Sequence, residues 1–158
     1  MIAYRIVRAD RTSLEGKGAA ENPGRWNAEG VPCVYTSSTP ALTQLEVMVN
    51  VEDWKIFITV KHVVLHISFP ADRLLAVVDS DLPARWADAV YGRKTQELGS
   101  DLLNNPGILA FSIPSAVSKT ERNFILNPRA VDFGKLVKVE EALPFEFDSR
   151  LEGLVESF

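Results

Sequence analysis

Two stretches of the sequence concentrate side chains that can do chemistry. In the first, NPGRWNAEGVPCVYTSS at residues 22–38, Arg25 lies between Gly24 and Trp26, and Tyr35 ends a short apolar run. Glycine lets a backbone approach a ligand closely, and a guanidinium presents a planar fork that suits phosphate. On this stretch alone, a salt bridge over a buried tryptophan is the favoured explanation of Arg25. A core phenol with its hydroxyl at the surface would explain Tyr35.

Glu46 is the carboxylate of greatest interest. It lies in ALTQLEVMV, where helical spacing places it one turn after Leu42 on a largely apolar surface. A carboxylate in apolar surroundings needs a partner or a chemical role. An ion pair with Arg5 or Arg25 would supply the partner, and such a pair can itself form part of a site.

The second stretch is FSIPSAVSKTERNFILNP at residues 111–128. Ser115 follows Pro114 at the end of a predicted strand, and Asn127 precedes a proline. Taken alone, the stretch predicts a polar loop and then a strand that ends in an Asn-Pro turn. A serine hydrolase is a weak alternative, because Ser115 lacks the glycines of a nucleophile elbow and only His62 and His66 are available as partners.

The elements that must position these residues alternate between strands and helices. Thr39 or Ser38 can cap a helix with Pro40 in its first turn, and its predicted apolar face contains Ala41, Leu45, Met48 and Val49. Residues 54–70 read as one long strand or a bent pair, because β-branched and aromatic residues dominate. The other expected elements are strands at Ala3–Arg8, Cys33–Thr36, 107–116, Asn123–Leu126 and Leu136–Val139, an ordered loop at Arg11–Gly30, helices at Ala84–Tyr91 and Arg93–Asn104, and a strand and short helix in the tail at 144–158.

Composition sets limits on function. The 158 residues are 46% hydrophobic and 24% charged, which predicts one folded domain over residues 1–158. A net charge of -4 lacks the basic footprint of phosphate-backbone binding, so no direct nucleic-acid partner is expected. Cys33 is the single cysteine, and His62 and His66 lie two pleats apart in a predicted strand, so no metal is expected. The start has no signal-peptide core and no apolar run could span a bilayer, which predicts a cytoplasmic protein without a membrane partner.

Four motifs, taken in order, resemble the RES-domain toxins, which are named for an arginine, a glutamate and a serine. The motifs are YRIVRAD, GKGAAENPGRWNAEGVPCVYTSS, PALTQLEVMV and IPSAVSKTERNFILNP, and the resemblance runs from Tyr4 to Pro128. The sequence departs from the family at residues 22–24, where a double glycine commonly precedes Arg-Trp-Asn. Thr43-Gln44 replaces a small apolar pair before Leu45-Glu46.

The resemblance implies a fold and an activity. The fold would be α/β (α+β), a mixed, split β-structure with surrounding helices, similar to the ADP-ribosyltransferase fold, forming a single RES-like domain. Family members are toxins of type II toxin–antitoxin pairs, partnered by Xre-like antitoxins. They cause growth arrest by cleaving the nicotinamide–ribose bond of NAD+, by phosphorolysis with inorganic phosphate or by hydrolysis. A protein ADP-ribosyltransferase and a non-catalytic NAD-binding module are the alternatives.

The resemblance also assigns residues to this NAD+ chemistry. Glu46 would stabilise the oxocarbenium-like ribose and accept a ribose hydroxyl. Arg5 and Arg25 would hold the pyrophosphate and an incoming phosphate. Tyr35 would stack on nicotinamide or ribose, and Ser115 would position a ribose hydroxyl, the nucleophile or the second arginine. The implied catalytic residues are Arg25, Glu46, Tyr35 and Ser115. The implied NAD-binding residues are Arg5, Arg25, Tyr35, Glu46 and Asn127. Glu121 and Asn127 would make supporting contacts, and Trp26 would be a structural wedge.

Overall fold

The computed structural model describes residues 1–151 as a sheet with helices around it. The strands are β1 Ile2–Arg8, β2 Val34–Ser37, β3 His62–Ser68, β4 Leu74–Ala76, β5 Ala110–Pro114, β6 Arg122–Leu126 and β7 Lys138–Phe145. The helices are α1 Lys17–Glu21, α2 Pro40–Asn50, α3 Trp54–Thr59, α4 Arg93–Leu103 and α5 Phe133–Leu136, with short 3₁₀ turns at Ala71–Arg73 and Asp79–Asp81. The mixed α/β class expected from the sequence is confirmed.

The sheet has the strand order β4-β5-β6-β2-β1-β3-β7. Its strand pairs are antiparallel except for the parallel pair of β4 and β5. β1 and β3 pair along their whole length, whereas β1 and β2 are in register at the single pair Tyr4 and Ser37. The sheet therefore divides at β1 and β2 into two halves joined at one point.

β5 is buried along its whole length and β6 over its last three residues, so both faces of these strands meet a hydrophobic cluster. Phe124 and Leu126 pack into one hydrophobic cluster with Leu65, whereas Ile125 between them packs into a second cluster with Trp26. This division follows from the pleat of a strand, in which successive side chains point to opposite faces. The polar side chains Ser115 and Asn123 lie at one end of these two buried strands.

α3 corrects the expectation of a strand from residue 54 onward. The Asp53 side chain accepts a hydrogen bond from the Ile56 backbone N–H at 3.1 Å and caps the helix, so the strand β3 begins only at His62. An N-terminal cap satisfies a backbone donor that a helix otherwise leaves open, and here capping prevails over the β-propensity of the segment.

The predicted helix at residues 84–91 is also wrong, because the segment forms successive turns. Arg85 adopts the left-handed conformation with a φ of 62°. The carbonyls of Trp86 and Asp88 bond to the Arg25 side chain instead of to amides further along a helix. The long-range contact thus replaces the local hydrogen bonds that sequence periodicity anticipates.

α2 starts where the sequence predicts but presents a different face to the sheet. Leu42 and Thr43 are buried, whereas Leu45 is 40% exposed and Val49 is 59% exposed. The predicted apolar face of Ala41, Leu45, Met48 and Val49 is therefore wrong: Ala41 is exposed as well, and Met48 is half-buried. The helix packs on β1 and β2 through the side that also carries Glu46.

The remaining elements agree with the sequence to within a few residues. β1, β2, α4, β5 and β6 are confirmed, and α1 interrupts the predicted loop at Arg11–Gly30. β7 is longer than the predicted strand at Leu136–Val139, and Leu136 itself ends α5. The predicted helix in the tail begins at residues 149–151, and the rest of that prediction lies outside the described residues.

Candidate active site

Glu46 lies at the centre of a polar cluster between α2 and the ends of β5 and β6. Its Oε1 accepts a hydrogen bond from Ser115 Oγ at 2.8 Å and another from Asn123 Nδ2 at 2.5 Å. Both donors bond to the same oxygen, and Oε2 accepts none from the described residues. Glu46 is half-buried. Its hydrogen-bond partners are these two neutral donors, and not Arg5 or Arg25 as the sequence suggested.

Ser115 serves to orient Glu46. Its Oγ accepts hydrogen bonds from the backbone N–H groups of Val117 and Ser118, both at 3.0 Å. The hydroxyl hydrogen is then directed to Glu46. Ser115 is 0% exposed, and its hydroxyl is engaged by Glu46 and by the backbone of its own loop.

Glu121 ties the helix that carries Glu46 to the loop that carries Ser115. Its carboxylate accepts hydrogen bonds from Thr39 Oγ1 at 2.6 Å and from Ser118 Oγ at 3.0 Å. Thr39 is the N-cap of α2 and accepts from the Leu42 backbone N–H. The start of the helix and the loop are thereby fixed relative to each other.

Arg25 lies near Glu46 and is held by one edge of its guanidinium. Its Nη1 donates to the carbonyls of Trp86 at 2.5 Å and Asp88 at 2.8 Å, and the Tyr91 ring lies 5.0 Å from its Cζ. Burial lowers the pKa of Arg25, and the nearby Tyr91 and Glu46 oppose that shift. Arginine still remains a cation at neutral pH. The Nε and Nη2 hydrogens have no partner among the described residues and form a fork.

Tyr35 holds the loop that carries Arg25. Its hydroxyl donates to Asn27 Oδ1 at 2.7 Å and accepts from the Trp26 backbone N–H at 3.0 Å. Asn27 Oδ1 also accepts from the Gly24 backbone N–H at 2.8 Å. Burial raises the pKa of Tyr35, so the phenol stays neutral. Through these hydrogen bonds, Tyr35 supports the loop in the absence of a ligand.

Gly24 is required by this packing. A Cβ at residue 24 would lie 2.7 Å from the Tyr35 hydroxyl oxygen, which is closer than real Cβ atoms come to a neighbour. Residues 22–24 depart from the double glycine common in the family, but Gly24 still lacks the Cβ for which the packing against Tyr35 leaves no room.

Arg5, the second arginine named from the sequence, has a buried nitrogen without a hydrogen-bond partner among the described residues. It belongs to β1 opposite Leu65, and its Nη1 is buried without a hydrogen-bond partner among the described residues. Burial lowers the pKa of Arg5, and the nearby Cys33 opposes the shift. A buried donor without a partner is energetically costly.

Asn127 and Trp26, two other residues named from the sequence, are buried in contacts that stabilise the fold. Asn127 is 0% exposed and donates to the carbonyls of Asn105 and Ile108 while accepting from the Arg129 N–H. Its polar atoms are thus engaged by backbone groups, and it is not brought to Glu46. Trp26 is 3% exposed in the second hydrophobic cluster, as a structural wedge would be.

Sequence reasoning missed Asn123 and Asn27. Asn123 is two residues before Ile125 in β6 and shares its face, and this alternation was the signal available for it. Asn27 directly follows Arg-Trp in a loop rich in glycine and proline, but nothing in that pattern shows that its amide bonds to Tyr35.

Two cavities lie away from this cluster, around α3 and the neighbouring ends of β1, β3 and β7. They measure about 630 and 620 Å³ and share Phe57, Val60 and His62 in their walls. None of the residues proposed for the site lines them.

In residues 1–151, no group of His, Cys, Asp and Glu side chains is arranged to hold a metal ion. None of the helices described for the chain combines the length and apolar character needed to cross a membrane.

The fold and the cluster define a class of protein: a mixed α/β domain with a divided sheet, in which an oriented helix carboxylate lies near an arginine fork. The chain belongs to the RES-domain family, because the family model described as RES domain matches residues 2–148.

Relatives and a solved structure agree with this family. Toxin Res of Photorhabdus laumondii is 34% identical over 153 residues, which cover 96% of this chain and 97% of the relative. The Prs ADP-ribosylating toxin of Sphingobium sp. is 29% identical over 156 residues and 94% of each chain. A chain in the crystal structure of the M. tuberculosis MbcT–MbcA toxin–antitoxin complex matches with a TM-score of 0.63 and 15% identity, over 99% of this chain and 89% of that one. This last likeness concerns the fold alone.

Proposed function

We propose that this chain is the toxin of a toxin–antitoxin pair and that it cleaves the nicotinamide–ribose bond of NAD+. The observation that carries the proposal is the asymmetric hydrogen bonding of Glu46, whose Oε1 accepts from two donors while Oε2 accepts none from the described residues. A carboxylate fixed in this way is prepared to meet charge that develops on a substrate without first rearranging. The names of the toxin relatives support the biological role.

The chemistry would proceed by loss of nicotinamide. The bond between the ribose C1′ and the nicotinamide nitrogen breaks, its electron pair leaves with nicotinamide, and positive charge develops on the ribose. Glu46 Oε2 would accept a ribose hydroxyl and stabilise that charge. Phosphate or water would then supply the oxygen that bonds to C1′.

The two arginines would hold the anionic part of NAD+. Arg25 offers Nε and Nη2 together, which is the geometry that binds two oxygens of one phosphate. The buried Nη1 of Arg5 gains the partner it lacks when a phosphate oxygen binds. Tyr35 would act through the loop that it fixes, and through one edge of its ring if the nicotinamide lies against it.

A protein acceptor is the second candidate, because the Sphingobium relative is named Prs ADP-ribosylating toxin, and we take Prs as the acceptor to test. Its first step, loss of nicotinamide, is the same, so the same cluster serves both reactions. The toxin–antitoxin complex with the similar fold supports an antitoxin partner, for which the Xre type remains our prediction. NAD+ turnover that arrests growth also requires a cytoplasmic location, where the toxin meets the NAD+ pool.

The experiment is an incubation of the purified chain with NAD+ alone, with NAD+ and inorganic phosphate, and with NAD+ and purified Prs, followed by mass analysis. ADP-ribose phosphate formed only with phosphate would identify a phosphorylase, and free ADP-ribose a hydrolase. Added mass on Prs would identify the transferase. A folded chain that releases no nicotinamide in any arm would refute the proposal and favour a non-catalytic NAD-binding module.

A further inference from the structure

We propose that Asn123, itself fixed by Ser37, is a positioning residue that aims the open oxygen of Glu46. The inference rests on the proposed function, because it assigns Asn123 a part in the reaction of Glu46. Nothing in the sequence motifs singles out Ser37 or Asn123 as part of a site.

The three side chains form a chain of hydrogen bonds with one direction. Ser37 Oγ donates to Asn123 Oδ1 at 2.9 Å, and Asn123 Nδ2 donates to Glu46 Oε1 at 2.5 Å. A carboxylate accepts hydrogen bonds but donates none, so the NH₂ side of the amide must face Glu46. The carbonyl side then faces Ser37, whose hydroxyl supplies the donor that holds it there.

The sheet register brings this chain of hydrogen bonds to the site. Ser37 and Asn123 are direct partners in the antiparallel pair of β2 and β6, so their side chains lie on one face. Ser37 is also the residue of β2 in register with Tyr4 of β1, where the two halves of the sheet meet. Ser37 is 3% exposed, so its hydroxyl is shielded from competing water.

Asn123 and Ser115 approach Glu46 from different elements. Ser115 belongs to the loop after β5 and Asn123 to β6, yet both bond to Oε1. The terminal torsion of a glutamate is broad and soft, so one donor alone leaves the carboxylate free to turn. Two donors converging on one oxygen fix the plane of the group and therefore the direction of Oε2.

A positioning role makes a kinetic prediction. Asn123→Ala should lower kcat for nicotinamide release by about tenfold to a hundredfold, the range expected for loss of one hydrogen bond to a charged group. The KM for NAD+ should change little, because Asn123 acts on Glu46 and not on the substrate. Ser37→Ala should lower kcat less. The double variant should be no slower than Asn123→Ala, because Ser37 acts through Asn123.

The matched control is Thr36→Val, which removes a hydroxyl from the neighbouring residue of the same strand. The Thr36 side chain points to the face of the sheet opposite that of Ser37, and its Oγ1 donates to the Phe124 backbone carbonyl. This variant should keep the wild-type kcat despite the loss of a buried hydrogen bond. Asn123→Asp keeps the volume of the side chain but replaces its donor with an acceptor and places a second carboxylate beside Glu46, so it removes the same contact if truncation impairs folding.

The experiment measures kcat, KM and thermal unfolding for the wild type and these variants, with rates expressed per folded molecule. A lower kcat for Asn123→Ala and Asn123→Asp, the unchanged control and a non-additive double variant are the expected results. Wild-type turnover with an undiminished kcat in both Asn123 variants would overturn this inference alone. A raised KM with unchanged kcat would also overturn it, by making Asn123 a substrate contact. No nicotinamide release by the folded wild type would overturn the proposed function and this inference with it.

Discussion

Replacing Glu46 with glutamine should abolish most NAD+ turnover while leaving the fold intact. The side-chain carbonyl of the substituted amide can accept the hydrogen bonds that Ser115 and Asn123 now donate to Oε1, so the local contacts persist. The other position changes from an acceptor to an NH₂ donor. The open side of the group therefore loses both its charge and its capacity to accept a ribose hydroxyl.

The magnitude follows from what the substitution removes. Loss of one preorganised electrostatic group costs about 10²- to 10³-fold in kcat, or about 3–4 kcal/mol of transition-state stabilisation. The assay is nicotinamide release, with thermal unfolding as the measure of folding. Glu97→Gln is the control, because Glu97 is an exposed carboxylate that pairs with Arg93 on α4. A Glu46→Gln variant with wild-type kcat would refute the assignment of Glu46.

Four further predictions concern the loop and its surroundings. Gly24→Ala should lower the free energy of unfolding by about 1–3 kcal/mol, because the new Cβ would lie 2.9 Å from Tyr35 Cζ, whereas Gly18→Ala, with nothing within 4 Å, should not. Tyr35→Phe should cost about 1–3 kcal/mol in chemical denaturation by leaving the Trp26 N–H without its acceptor, and an unchanged midpoint would contradict this. Arg25→Lys should raise the KM for NAD+ about tenfold or more, since lysine lacks the fork, and an unchanged KM would remove Arg25 from binding. Burial raises the pKa of Cys33 to about 12, so the unfolded chain loses the thiol proton at a lower pH than the folded chain. Stability should fall from about pH 9 towards pH 12 by more than in Cys33→Ala, and equal pH profiles for the two would contradict this.

Local signals predicted the positions of several elements correctly. Thr39 followed by Pro40 marks the start of α2, and the Thr39 side chain does accept the hydrogen bond of an N-cap. The spacing of Leu42 and Glu46 also placed the carboxylate on the side of the helix that meets the sheet. These successes share a cause, because capping and helical spacing act within one or two turns of chain.

The misses come from contacts between residues distant in sequence. The turns at residues 84–91 face Arg25, which lies 61 positions before Trp86, and their carbonyls follow that contact. The register that pairs Ser37 with Asn123 depends on which strands become neighbours. Periodicity within a segment cannot report either fact. The exposed Leu45 and Val49 show the same limit, because an apolar stripe does not itself say which face will meet the sheet.

The most direct test of the account is the location of NAD+ in a crystal of the Glu46→Gln variant. We expect the nicotinamide ribose within hydrogen-bond distance of residue 46, with the pyrophosphate at Arg25 Nε and Nη2 and at Arg5 Nη1. NAD+ bound instead in the cavities around Phe57 and His62, with residue 46, Arg25 and Arg5 in their present positions, would contradict the proposed site.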